Sequence, residues 1–218
     1  MYKWYDTCIR KTNFVQGEYY HIYNRGTDKR SIFIDQNDIN RFWDSMNDFN
    51  QVEPIGSMFE FSFLKKSNIK SEKKPLVEFV AYCLNPNHFH FLISPLVDGA
   101  VEKFMQRLGN GYTKYFNNKY KRSGVLFQGK FKAKHVESNE YLLHLSAYIN
   151  SNNLLGHRMS KLSRSSLDEY NSSISNGICN KDIVLGQFED SEDYKKFVLS
   201  SLEDIDLRKE MEVELNDY

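Results

Sequence analysis

A chain of 218 residues that is 40% hydrophobic and 15% aromatic has the size and apolar content of one packed domain with an appendage. Its 29 Lys and Arg balance 29 Asp and Glu, which argues against a uniformly basic nucleic-acid binder. Cys8, Cys83 and Cys179 are far apart and in no C-x-x-C spacing, which excludes a disulfide framework and a Cys-based zinc site. No apolar run approaches the length that spans a bilayer and Met1 to Lys11 lacks a signal-peptide core, so the sequence reads as soluble and cytoplasmic, with no membrane partner.

The first element is a strand over Glu18 to Arg25, where Tyr19, His21 and Tyr23 alternate with Tyr20 and Ile22 before Gly26 ends it. Asp35 then caps a helix whose Ile39, Phe42, Trp43, Met46 and Phe49 recur on one face. Gln51 to Pro75 is read as an insertion or hairpin, with Met58 to Leu64 alternating like a strand and Lys65 to Lys74 a polar connection.

Val77 to Leu84 is a second core strand, and the turn Asn85-Pro86-Asn87 joins it to a strand carrying His88 and His90. Side chains on a strand alternate between faces, so His88, His90 and Leu92 share one side and Phe89, Phe91 and Ile93 the other. Two imidazoles about 6 to 7 Å apart along the backbone can converge on one divalent ion. Alone, such a pair reads more often as satisfied sheet-surface histidines.

A second helix follows, with Val101, Phe104, Met105, Leu108, Tyr112, Tyr115 and Phe116 on its apolar side and Gly109 and Gly111 weakening it. Gly124 precedes a strand expected over Val125 to Val136, and Ser138 caps a third helix from about Asn139 to Asn152. The order is a split β-α-β-β-α-β pattern, an α+β ferredoxin-like sheet with an added helix, which as a fold fixes no function. Ser160 to Asn180 reads as a loop or linker, and Tyr194, Phe197, Val198, Leu202 and Ile205 outline a last amphipathic helix before an acidic tail. The expected division is 1–158 for the main domain, with an insertion at about 51–76, and 159–218 for the C-terminal appendage.

The neutral total conceals a basic middle. From Lys103 to Lys134 there is no Asp or Glu, and Arg107, Lys114, Lys121, Arg122, Lys130, Lys132 and Lys134 are interleaved with aromatics, as single-strand binding needs: cations track phosphates and aromatic faces stack bases. A solvated helix face over a buried aromatic stripe explains the same pattern. On the third helix, Tyr148 and Asn152 are four apart and therefore neighbours, able to present a phenol and a carboxamide to the histidine strand. The plainer readings are a core-edge aromatic and a C-terminal residue in a left-handed turn.

Tyr82-Cys83-Leu84-Asn85-Pro86-Asn87-His88-Phe89-His90-Phe91-Leu92-Ile93, then Gly124-Val125-Leu126-Phe127-Gln128-Gly129-Lys130-Phe131-Lys132, then Tyr141-Leu142-Leu143 and Tyr148-Ile149-Asn150-Ser151-Asn152, resemble the single-tyrosine HUH transposases, in particular their REP-associated branch. The resemblance runs from about Tyr19 to Leu155. It implies a ferredoxin-like catalytic domain that cuts and rejoins single-stranded, hairpin-containing DNA through a 5′-phosphotyrosine. It also implies His88, His90 and Asn152 as ligands of Mg²⁺ or Mn²⁺, Tyr148 as nucleophile, and a monomer or homodimer. The sequence departs from the pattern at Asn85, where relatives commonly have Met, and at Asn152-Asn153, where they have Asn-Pro. A binding module of the same fold that holds a hairpin without cutting it is the second reading, and a metal-dependent hydrolase using water the third.

Overall fold

The computed structural model describes residues 12–53, 74–153, 162–171 and 177–203. The strand expected at Met58 to Leu64, most of the insertion and the acidic tail lie outside them.

Strand β1 (Tyr20–Arg25) leads through a single 3₁₀ turn to helix α1 (Gln36–Phe49). The helix starts where Asp35 predicts it. The Asp35 carboxylate accepts from the Asp38 backbone N–H at 3.1 Å while the Asp38 carboxylate accepts from the Asp35 N–H at 3.2 Å, a reciprocal cap that satisfies two otherwise orphaned donors. Strands β2 (Val77–Asn85) and β3 (His88–Pro95) form the hairpin, and helix α2 (Ala100–Lys119) follows. Gly111 within α2 is a packing requirement, because a Cβ there would come within 2.5 Å of the Phe49 ring of α1. Strand β4 (Lys132–His135), helix α3 (Asn139–Ser151), strand β5 (Arg164–Ser165) and helices α4 (Leu167–Asn171), α5 (Asp182–Leu185) and α6 (Ser191–Glu203) complete the described chain.

The sheet order is β4-β1-β3-β2-β5, and every pairing between neighbours is antiparallel. Its first four strands have the 4-1-3-2 order of the ferredoxin-like arrangement. Alternation along the strands then builds two cores. Ile22, Tyr82, Phe89, Phe91 and Ile93 face α1 and α2, whereas Cys83, Leu92, Leu142, Leu145 and Ile149 join the opposite face to α3. The second core also takes in Tyr170, Val184, Tyr194 and Val198, so the C-terminal helices pack on the same face as α3.

Two expectations change. The strand expected over Val125 to Val136 is only Lys132–His135, since Gly124 and Gly129 take left-handed φ values of 83° and 65° and the loop between them meets the end of β1 through an isolated Gly26–Phe127 bridge and the Gln128 N–H bond to the Arg25 carbonyl. The described part of Ser160 to Asn180 is not an open linker. Arg164 and Ser165 extend the sheet beside β2, and buried Glu169 accepts from the Tyr82 hydroxyl at 3.0 Å and the Cys179 N–H at 3.1 Å. Two paired residues carry too little alternation to be read as a strand.

Candidate nucleic-acid cleavage site

The turn at Pro86-Asn87 is held from outside. The Pro86 carbonyl accepts from the Ile32 and Phe33 N–H groups at 2.7 and 3.0 Å, and the Asn87 carbonyl from the Gly26 N–H at 2.8 Å. The start of β3 is thereby fixed, with His88 beside Arg25 and Asn85, and His90 beside Tyr23 and Cys83.

Hydrogen bonding sets the tautomer of His88. Its Nδ1–H donates to Asn87 Oδ1 at 2.7 Å, its single Nε2 lone pair accepts from the Asn85 amide at 3.0 Å, and Asn152 Oδ1 lies 3.3 Å from the same Nε2. The same Asn85 amide donates to Asn152 Oδ1 at 2.5 Å. His90 is fully buried. Its Nδ1 lies 2.8 Å from His21 Nε2, and its Nε2 is buried without a hydrogen-bond partner among the described residues. The His88 and His90 rings are edge to face at 5.2 Å.

Burial keeps all three imidazoles neutral. It lowers His88, assisted by the Arg25 charge and opposed by the Asn152 contact. It drives His90 well below the ordinary imidazole value, and brings His21 down to about 3 with help from Lys134. Neutral imidazole is the form that ligates metals.

Helix α3 brings the phenol. Ser138 caps it by accepting from the Tyr141 N–H at 3.1 Å, and Leu142, Leu145 and Ile149 fasten it to the sheet. Tyr148, on the same side, sets its ring edge-on to His90 with centroids 5.8 Å apart. One chain thus brings together Tyr148, His88, His90 and Asn152. Asn152 ends the helix at φ −58° and ψ −29°, so the left-handed-turn reading of this residue does not hold. The far side of α3 is anchored too: Asn150 donates to the Tyr194 hydroxyl at 2.8 Å and accepts from Ser166 at 2.5 Å.

The donor set suits a divalent ion. Two neutral imidazoles, borderline donors, and a hard amide oxygen form a set that Mn²⁺ or Mg²⁺ could use in place of the Asn85 amide, and the buried His90 Nε2, without a partner among the described residues, is an atom that such an ion would satisfy. Among the described residues no group of three or more His, Cys, Asp and Glu is arranged so that it could hold a metal ion. Any cation site of this type therefore depends on the amide.

The basic residues divide between the two faces. Lys132 and Lys134 pair in register with Tyr23 and His21 and so stand on the histidine face, where Lys134 lies 5.0 Å from the Tyr141 ring centre. Lys114 and Lys130 border a cavity of about 800 Å³ on the other face, lined also by Phe127 and Phe131. Lys121 and Arg122 follow the end of α2, with Arg122 over the Phe116 ring. Arg107 donates to the carbonyls of Gln51, Val52 and Glu53, so it holds the chain after α1. Sequence reasoning assigned no role to His21, Arg25 or Asn87. Their signal is register between distant strands, which spacing within one motif does not carry.

Residues 58–152 match the model of the Y1_Tnp family, "Transposase IS200 like", which bears out the family resemblance over that stretch. No curated protein matches the chain. Among solved structures, one described as a REP-associated tyrosine transposase bound to a REP hairpin is 12% identical, covering 81% of this chain and 90% of that chain with a TM-score of 0.47.

Proposed function

We propose that the chain cleaves and rejoins single-stranded, hairpin-containing DNA by transesterification at Tyr148, as in DNA transposition. The observation that carries this reading is the meeting of Tyr148 with two neutral histidines and Asn152 on one sheet face, with His90 Nε2 buried and unsatisfied.

In the forward step the Tyr148 oxygen attacks phosphorus and the bond from phosphorus to the 3′ oxygen breaks. The products are a 5′-phosphotyrosine and a free 3′-hydroxyl that takes up the proton. In rejoining, a 3′-hydroxyl attacks the same phosphorus and the tyrosyl oxygen leaves, so bond energy is retained and no nucleotide cofactor is needed. A Mg²⁺ or Mn²⁺ ion held by His88, His90 and Asn152 would supply charge stabilisation to the non-bridging oxygens. The protein's own part is orientation. α3 holds the phenol against the sheet, the Asn87 contact keeps His88 in one tautomer, and burial keeps both rings uncharged. Lys132 and Lys134 stand on the histidine face, where their charges would meet phosphates.

The test is a labelled hairpin oligonucleotide with a single-stranded flank, incubated with Mn²⁺ and separated under denaturing conditions. A covalent protein–DNA band is expected. Cleavage without that band supports a water-using hydrolase, and binding without cleavage a non-cutting module.

A further inference from the structure

We propose that the cavity on the face opposite the histidines binds one unpaired nucleobase of the DNA strand, with Lys114 and Lys130 on its phosphate. The inference takes from the cleavage reading only that the ligand is single-stranded DNA.

Helix α2 carries two interior glycines, and packing explains one of them. Gly111 makes way for Phe49, whereas a Cβ at Gly109 would meet nothing within 4 Å. Glycine weakens a helix interior, so a position with room for a side chain that carries none calls for another reason. The room belongs to the cavity, which Gly109 lines and whose volume of about 800 Å³ is that of a small-molecule site. Buried Phe42 and Phe89 form its floor, and half-buried Phe127 and Phe131 a wall on the loop after Gly124. Both loop rings are held in place: Phe127 packs edge to face on Phe89 with centroids 5.8 Å apart, and Phe131 stacks on Phe14 at 6.4 Å.

The chemistry of the lining selects the occupant. Flat aromatic walls take a planar ring, and stacking of this kind accepts any base because each has a π-face. Lys114 and Lys130 are exposed at the border and pair with no carboxylate among the described residues, so their charge can meet a phosphate. Glu102, the acid that also lines the cavity, lies roughly 18 Å from Lys114 along the α2 axis at 1.5 Å per residue, which leaves the lysine end cationic. The same loop reaches the cleavage site. The Gln128 N–H donates to the Arg25 carbonyl at 2.8 Å, its Oε1 accepts from Arg25 Nε at 3.0 Å, and Arg25 pairs in register with His88. A strand crossing that end of the sheet can keep its scissile phosphate on the histidine face and turn a neighbouring base into the cavity.

The experiment compares two hairpin oligonucleotides that differ only in the single-stranded flank, one of thymidines and one of abasic sites with the same phosphates, bound without divalent ion. Wild-type protein should bind the thymidine flank roughly 10-fold more tightly. Gly109→Leu fills the cavity and suits a helix better than glycine, so its urea midpoint should be no lower than wild type. Its affinity for the thymidine flank should fall to that for the abasic flank, which itself should not change. Equal affinity of both proteins for the thymidine flank, or an equal loss on both flanks, overturns the proposal. A second readout needs no variant: 5-iododeoxyuridine in the flank should photo-crosslink to peptides containing Phe127 or Phe131, and crosslinks confined to the histidine face contradict the proposal. With Mn²⁺ added, an adduct from a protein that shows no base preference leaves the cleavage reading standing and removes the cavity's role, whereas a base preference without an adduct does the reverse.

Discussion

The amide of Asn85 donates to Oδ1 of Asn152 at 2.5 Å, tying the strand end before the histidines to the end of the tyrosine helix. Because the same Nδ2 lies 3.0 Å from His88 Nε2, one side chain orients two of the three proposed ligands. Asn85→Ala should lower stability by about 1 kcal/mol, the usual worth of a largely buried hydrogen bond, measured by urea unfolding. An unchanged unfolding midpoint speaks against this link.

His88→Ala and His90→Ala should each slow adduct formation by roughly 100-fold or more, equivalent to several kcal/mol of lost charge stabilisation. DNA affinity should fall far less, since phosphate contacts lie elsewhere. Filter binding beside a denaturing gel separates the two effects. Variants that still cleave in a metal-dependent manner remove these residues from the site.

Binding should weaken with salt, with a log–log slope of about −0.7 per phosphate neutralised on a single strand. Lys130→Ala, Lys132→Ala and Lys134→Ala should flatten it. Arg107→Ala should instead lower stability, because its guanidinium is engaged by the carbonyls of Gln51, Val52 and Glu53. A titration series at several salt concentrations decides, and an unaltered slope for all three lysine variants makes these lysines bystanders.

Acid stability centres on Asp38. Burial alone would raise its carboxyl, but bonds from Lys119, the Ile34 N–H, Tyr120 and the Asp35 N–H outweigh burial and hold it below the ordinary carboxylate range. A folded value below the unfolded one contributes stability that is fully present above the unfolded pKa, about 4, and is lost as pH falls through the folded value. Wild-type protein should therefore lose stability below about pH 4. Asp38→Asn should be less stable at neutral pH and show a flatter acid limb; an acid limb as steep as wild type would assign that loss to other carboxylates.

Much of this architecture is legible in the chain. The two-residue period put His88 and His90 on one face, Asp35 marked the start of α1, and Ser138 that of α3. What escaped depends on register. His21 lies 69 positions from His90, and only the antiparallel β1–β3 pairing brings their rings together. Arg25 meets His88 for the same reason. β5 escaped because two residues have no periodicity, and β4 was overdrawn because the apolar run Val125, Leu126 and Phe127 between Gly124 and Gly129 mimics a strand while serving a loop.

Four tyrosines on α2 and α3 compete for the nucleophile's role, and their surroundings differ. The Tyr112 hydroxyl is buried and donates to the Ile32 carbonyl at 2.6 Å, and that of Tyr115 donates to Asp38 at 3.1 Å, both on the face away from the histidines. Tyr141 opens α3 under the Lys134 ammonium, roughly 10 Å along the helix from Tyr148 at 1.5 Å per residue. Tyr148 alone among these four has its ring against His90 and a site amide one turn away. Tyr148→Phe should abolish the adduct while keeping fold and DNA affinity. Peptide mapping of the wild-type adduct is the most direct measurement: the nucleotide should be found on Tyr148, and its recovery on Tyr112, Tyr115 or Tyr141, or the absence of any adduct, would contradict the proposed chemistry at this site.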